Sequence, residues 1–240
     1  MKIVLLTALG VGGATVFGAI IGFIFKKISH KFSDIILAFG AGVMLSASFL
    51  GLILPSLECG GKFGVLITVS GIFVGAICID LIEKLVPHID TITTTDNESF
   101  KKVMLFVLAI AIHNLPEGIA AGVGFGTGDI SSAIMIAVGI ALQNIPEGMV
   151  IIGPMLSVGI SPGKTFFYAM LTGLIEIIGT FIGYFAVNIS NVILPFALSF
   201  AGGTMLYVIS NEMIPETHSH GNERGASYSL LFGFSIMLLF

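Results

Sequence analysis

The sequence predicts an all-α membrane protein, a polytopic bundle of eight transmembrane helices, and three observations carry that reading. Of its 240 residues, 55% are hydrophobic and only 10% are charged, against about 25% charged in ordinary soluble domains. The mean hydropathy is +1.06. Apolar runs long enough to cross a hydrocarbon core about 30 Å thick, which takes roughly 20 residues, recur along the whole chain. So little polar material cannot coat a water-facing surface, which excludes a soluble enzyme, a nucleic-acid binder and a disordered regulator. The net charge of -4 comes without a basic tail or stripe, so nothing is offered to phosphates.

The spans fall at about 3–25, 33–54, 64–86, 101–125, 131–157, 164–187, 192–211 and 226–240, and form a single transmembrane unit over 1–240. The first is not a signal peptide, because its basic cluster (Lys26, Lys27, Lys31) follows the apolar run instead of preceding it. Turn chemistry or charge marks each break: KKISHK, ECGGK, the polar stretch 88–102, TGD, VGISPGK, NISN and ETHSHGNER. Pro55 and Pro215 lie near the expected ends of the second and seventh spans. Cys59 and Cys78 form no CxxC pair and read as small packing residues.

Positive charge sets the orientation. Lys26, Lys27, Lys31, Lys84, Lys101, Lys102, Lys164 and Arg224 fall at one end of the eight spans, and only Lys2 and Lys62 at the other. That bias places both termini outside a cell membrane, with the 88–102 loop and the HSH segment in the cytoplasm. A faint repeat is also visible: AFGAG at 38–42 resembles SFAGG at 199–203, and Pro55 and Pro215 follow at the same offset from Ala41 and Ala201. The matching spans run in opposite directions, so spans 1–3 and 6–8 form an inverted repeat around spans 4–5, a recurrent plan in secondary transporters.

Charges inside a span cost roughly 2.5–3.5 kcal/mol each on insertion scales. Glu117, Glu147 and Glu176 lie well inside spans 4, 5 and 6, with no basic residue there to pair with them. Protons or metal cations must neutralise them. Their neighbours favour a metal. HNLPEG at 113–118 and QNIPEG at 143–148 stack His113 on Glu117 and Gln143 on Glu147, each four residues apart on one helix face. Asn114 and Asn144 lie beside those faces. Pro116 and Pro146 free the carbonyls of Ile112 and Leu142 from their helical partners. One imidazole with carboxylates and amide oxygens suits a borderline divalent cation such as Zn²⁺, Fe²⁺, Mn²⁺ or Co²⁺; a proton relay has no use for the amides. Met44 in span 2 is open between apolar packing and a soft ligand.

HNLPEG followed thirty residues later by QNIPEG, in the fourth and fifth of eight spans, resembles the ZIP (Zrt/Irt-like) family of divalent metal transporters. LTGLIEIIG around Glu176 and GTMLYVISNEMIPETH at 203–218 extend the likeness over nearly the whole chain, and bacterial broad-range zinc and iron uptake members are the most similar. The resemblance implies paired metal sites where spans 4, 5 and 6 meet. His113, Glu117, Gln143 and Glu147 would form the first, with Met44 added. Asn114, Glu117, Asn144, Glu147 and Glu176 would form the second, the glutamates bridging. Many relatives carry His at the position of Gln143 or Asp at that of Asn144. The resemblance also implies that spans 1, 4, 5 and 6 move as a bundle against the rest.

The expected substrate is therefore Zn²⁺ or Fe²⁺, with Mn²⁺, Co²⁺ and Cd²⁺ as further candidates, and the ion is cargo with no catalytic cofactor beside it. The partners are divalent ions and the lipid bilayer, with no nucleic acid and no ATP, since no GxxxxGK[ST] run exists; a homodimer is one option for assembly. Asp80, Glu83, Glu212, Glu216, His218 and His220 are either solvated helix ends or groups that receive metal on exit. The 88–102 loop has one histidine, His88, which argues against metal buffering there. Span 1 shows a small-residue face at Gly10, Ala14, Gly18 and Gly22, and span 6 a stripe of Gly173, Glu176, Thr180 and Gly183. Two rivals remain. A membrane-embedded dimetal enzyme needs HExxH or many histidines, and this chain has neither. A proton-coupled transporter of an organic anion needs a basic residue inside a span.

Overall fold

The computed structural model describes residues 1–25, 29–85, 98–189 and 192–239. Lys26, Lys27, His88, most of the 88–102 loop and the centre of the NISN break lie outside them. Among the described residues there is no strand. Seven of the helical runs there are long and apolar enough to cross a membrane: Lys2–Ile24, His30–Cys59, Gly61–Leu85, Glu98–Thr127, Ile130–Ser157, Pro162–Asn188 and Leu194–Thr217. The eighth expected span is helical, but its α-helical part, Glu223–Ile236, has 14 residues, fewer than the roughly 20 a crossing takes.

In chain order the α-helices are α1 (Lys2–Ile24), α2 (His30–Ser46), α3 (Leu54–Cys59), α4 (Gly64–Leu85), α5 (Glu98–Val123), α6 (Ile130–Ser157), α7 (Pro162–Ile189), α8 (Leu194–Val208), α9 (Ile214–Thr217) and α10 (Glu223–Ile236). Two of the seven long runs differ from the sequence expectation in one way. The second continues past residue 54 and the seventh past residue 211, through Pro55 and Pro215. The reason is a widened π-helical turn, Ala47–Ile53 between α2 and α3 and Ile209–Met213 between α8 and α9, ending two residues before each proline. The extra residue in the turn takes up the hydrogen bond and the space that a proline ring denies a regular helix.

Local chemistry fixes the ends. The Ser29 hydroxyl accepts from the Phe32 amide at the start of α2. Asp129 caps α6, accepting from Ser131 N–H at 2.9 Å and from the Ser132 hydroxyl at 2.6 Å. These two contacts, the Ser132 hydroxyl foremost, hold the Asp129 carboxyl below its ordinary range. Gly128 precedes it with φ of 76°, a left-handed turn that suits glycine. Cys59 corrects the packing expectation: it ends α3 beside the Gly60–Gly61 turn and is exposed, while Cys78 is half-buried.

The helices pack as two groups. α1, α5, α6 and α7 pack on one another; α2–α3, α4, α8–α9 and α10 form the second group. The first group is held by close backbone approach. A Cβ added to Gly118 would strike the carbonyl of Glu176, one at Gly12 that of Gly173, and one at Gly148 that of Thr15. Of the small-residue face expected on α1, Gly18 and Gly22 meet α6, but Gly10 faces open space and Gly12 takes its place. The buried residues are Val4, Ala8, Val11, Gly12, Ala14, Thr15, Gly18, Ala19 and Gly22, so the expected stripe is buried at Ala14, Gly18 and Gly22 and leaves the buried face at Gly10, because a four-residue stripe drifts around a helix that turns every 3.6 residues. Gly148→Val is expected to destabilise the protein by about 1–3 kcal/mol, read as a lower midpoint of thermal unfolding in detergent, because a backbone carbonyl cannot yield as a side chain can.

Two apolar clusters bracket the middle of the bundle. One spans both groups, with Val11, Ala120, Ile136 and Ile140 against Met44, Leu198 and Met205. The other lies inside the first group alone, with Ala19, Val107, Ile110, Ile152 and Ala169. Large side chains such as Leu6, Phe17, Leu66, Phe73, Phe167 and Phe232 are exposed on the outside, the apolar surface a bilayer covers. This is a multi-pass membrane protein.

Candidate metal centre

The motif helices α5 and α6 face α7, and their polar residues point inward. Asn114, Glu117, Gln143, Asn144 and Glu176 are each 0% exposed, and His113 and Glu147 each 8%. The Glu117 carboxylate lies within electrostatic reach of those of Glu147 and Glu176, with Gln143 beside it. Neither oxygen of Glu117 has a hydrogen-bond partner, and the same holds for both polar atoms of Asn114 and of Gln143, and for Glu147 Oε2. Burying polar groups in that state costs several kcal/mol each in an apolar medium. Buried oxygens left without partners on these facing helices suit a cation.

Glu176 is held differently. Asn144 Nδ2 donates to its Oε1 at 2.5 Å and to the carbonyl of Val11 at 3.2 Å, and the Thr15 hydroxyl donates to its Oε2 at 3.3 Å. Both acceptors around Asn144 fix the amide with nitrogen towards Glu176 and leave Oδ1 without a partner. Thr15 and the Val11 carbonyl are the participants the sequence reading missed. A signal was available: Thr15 is a polar residue on the otherwise small and apolar buried face of α1.

His113 stands at the seam between the two helix groups. Its Nε2 lies 2.8 Å from Glu212 Oε1 and 3.7 Å from Glu83 Oε1, both from the second group. One donor atom from each of the three falls within 4.8 Å of the others. Of the exit candidates, then, Glu83 and Glu212 join His113. Asp80 is engaged elsewhere, by Lys84 at 2.6 Å and the Tyr207 hydroxyl at 3.0 Å. His218 has its Nδ1 2.8 Å from the Ile214 carbonyl and its Nε2 3.1 Å from the Ser227 hydroxyl. Met44 is 1% exposed and packs in the apolar cluster shared by the two groups. It lies one helical turn beyond Gly40, whose backbone abuts Gln143.

A cavity of about 430 Å³ reaches His113 and Glu147 of this centre and is also lined by Phe106, Glu212, Glu216 and Ser219 among others. These residues lead towards the end that holds the connections after α1, α6 and α9.

The family profile described as "ZIP Zinc transporter" matches residues 90–240. The zinc transporter GufA of Myxococcus xanthus is 34% identical over 98% of this chain and 96% of its own length. The zinc transporter ZupT of Chlorobaculum parvum is 36% identical, covering 94% of this chain and 91% of the relative. The zinc transporter ZIPB of Bordetella bronchiseptica is 34% identical over 94% of this chain and 76% of its own length.

Proposed function

The chain belongs to the ZIP zinc transporter family, and on that premise we propose that it carries Zn²⁺ into the cytoplasm through a centre built on Glu117, Glu147 and Glu176. The family is one of transporters and not of enzymes. The observation that carries the reading is the set of three buried carboxylates from α5, α6 and α7, of which Glu147 lines the cavity. No Lys or Arg occurs between Lys102 and Lys164, or between Lys164 and Arg224, so a cation that enters is their natural counter-charge.

His113, Glu117, Gln143 and Glu147 form the first site in this reading, with Met44 as a soft ligand that a small shift of α2 brings closer. Asn114, Asn144 and Glu176 complete the second, with Glu117 and Glu147 shared. Imidazole and carboxylate donors also accommodate Fe²⁺, Mn²⁺, Co²⁺ and Cd²⁺. The cavity opens at the end where lysines collect, which the positive-inside bias assigns to the cytoplasm, so the state described is inward-open. The contact of His113 with Glu212 and Glu83 joins the moving group to the fixed one and gives the departing ion its next ligands. The eight-span plan and its inverted repeat belong to the same proposal; the two π-helical turns, each two residues ahead of Pro55 or Pro215, support it.

The test is uptake of a panel of divalent ions into proteoliposomes of the purified protein. Saturable Zn²⁺ uptake is expected without ATP. A folded protein that moves none of the ions rejects the transporter reading.

A further inference from the structure

Asp34, in the second turn of α2, is 2% exposed although it sits near the end of the bundle. The connection between α9 and α10 takes both of its oxygens. His220 Nδ1 lies 3.0 Å from Oδ1, and Asn222 Nδ2 donates to Oδ2 at 3.0 Å. Gly221 between them, with φ of 82°, reverses the chain so that both neighbours face the carboxylate. A carboxylate acceptor places the proton on Nδ1 of His220 and leaves the Nε2 lone pair with one long contact, the Ser219 hydroxyl at 3.4 Å, which an ion can displace; a carboxylate orients a metal-binding imidazole in the same way.

That clasp accounts for Asp34, His220 and Asn222, but it gives no role to His30. The His30 ring lies on that of His220, with centroids 4.6 Å apart and planes inclined by 28°. The two imidazoles come from opposite ends of the sequence, and both are exposed. His218, two residues away, has both ring nitrogens occupied and is structural. α9 supplies Glu216 and the same connection supplies Ser219 to the wall of the central cavity, so an ion leaving that cavity passes along it.

We propose that His220 and His30, with Asp34 orienting His220, form a second divalent-cation site at the rim of the cavity. It takes an imidazole-preferring ion such as Zn²⁺, Cu²⁺ or Co²⁺, with solvent completing the coordination. Rotation of the exposed His30 side chain brings its ring nitrogen beside His220 Nε2. Its role as a receiving station rests on the transport reading above; its existence does not.

The test uses the purified full-length protein, titrated with Zn²⁺ by calorimetry and with Cu²⁺ by electron paramagnetic resonance. The expected result is a bound Cu²⁺ coupled to two imidazole nitrogens. His30→Ala and His220→Ala should each remove one of the two nitrogens and one Zn²⁺ equivalent. Asp34→Asn should keep both nitrogens and weaken the site about tenfold or more, as loss of an orienting partner does. His30 is exposed, so its removal leaves the fold intact and the result interpretable even where Asp34→Asn misfolds. A Cu²⁺ signal and a Zn²⁺ stoichiometry that neither histidine variant changes overturn the site. Zn²⁺ uptake measured in parallel separates the two readings: uptake without the rim equivalent rejects this site alone, and the rim equivalent without uptake supports the site while rejecting the transport reading.

Discussion

Glu117→Ala is expected to abolish Zn²⁺ uptake while leaving the thermal midpoint of the metal-free protein unchanged or raised. Glu117 is fully buried, and neither of its oxygens has a hydrogen-bond partner. In the empty protein its carboxyl is a desolvated group with nothing to offset the penalty, and truncation removes that penalty at the expense of some packing. With the ion present the sign reverses. Removing one partner of a buried ionic contact costs about 3–5 kcal/mol, and each 1.4 kcal/mol is tenfold in affinity, so binding falls by a hundredfold or more. Glu147→Ala should behave alike, because its carboxylate also lines the cavity and lies close to His113. Radioactive Zn²⁺ uptake with a melting curve on the same preparation checks both halves. Near-normal uptake by either variant refutes the shared-carboxylate centre.

Asn144→Asp is expected to have the second large effect, in the opposite direction. The Asn144 amide donates to Glu176 and to the Val11 carbonyl, so in the empty protein it acts as a neutral counterpart to the carboxylate. Aspartate can make neither contact when ionised, and it places a second negative charge at hydrogen-bonding distance from Glu176. The empty state loses stability and the ion-loaded state gains a charged ligand. Hydrogen bonds and contacts to charged groups contribute about 1.5–3 kcal/mol, so Zn²⁺ binding should tighten by roughly tenfold to a hundredfold. Two ions bring four positive charges to the three glutamates of the native centre, whereas the added carboxylate balances them. The variant should therefore hold two Zn²⁺ per chain at concentrations where the native protein holds one. Uptake should show a lower KM and a lower maximal rate, because release requires weak enough binding as much as capture requires binding at all. An unchanged stoichiometry, or a raised KM, removes residue 144 from the ligand set.

What could be read in the sequence was what depends on composition and local spacing. The long apolar runs gave seven helices close to their observed positions, and the i, i+4 spacing of His113 with Glu117 and of Gln143 with Glu147 set each pair on one inward face. The Thr-Gly-Asp break was legible because a left-handed Gly128 and a capping Asp129 act within a few residues. What was missed depends on partners far away in the chain. The continuation of the helical runs through Pro55 and Pro215, past the expected span ends at 54 and 211, was missed, since nothing local announces that a π-helical turn will absorb the prolines. The small-residue face of α1 was legible at Ala14, Gly18 and Gly22 but not at Gly10: a strict four-residue stripe drifts around a helix of 3.6 residues per turn, which puts Gly12 on Gly173 and leaves Gly10 uncovered. Thr15 was invisible as a partner of Glu176 because their contact spans 161 positions. Glu83 and Glu212 were visible as acids at span ends, but only the packing of α4 and α8–α9 against α5 brings them to His113.

The two groups of helices give the centre its mechanical meaning. Every carboxylate of the proposed central site comes from the first group, and the residues that meet His113 from across the seam come from the second. On the proposed reading, a shift of one group against the other would break the His113–Glu212 contact and open the centre to the opposite side. The ion would then travel with its carboxylates while its exit ligands stay behind.

The most direct measurement is an anomalous difference map at the zinc edge from crystals of the Zn²⁺-loaded protein. The account places the strongest peak among Glu117, Glu147 and His113, bonded to oxygen and imidazole nitrogen at about 2.0–2.2 Å, with a weaker neighbouring peak towards Glu176. Zinc found only at His113, Glu83 and Glu212, or only at the rim of the cavity, with no density among the three buried carboxylates, would contradict it.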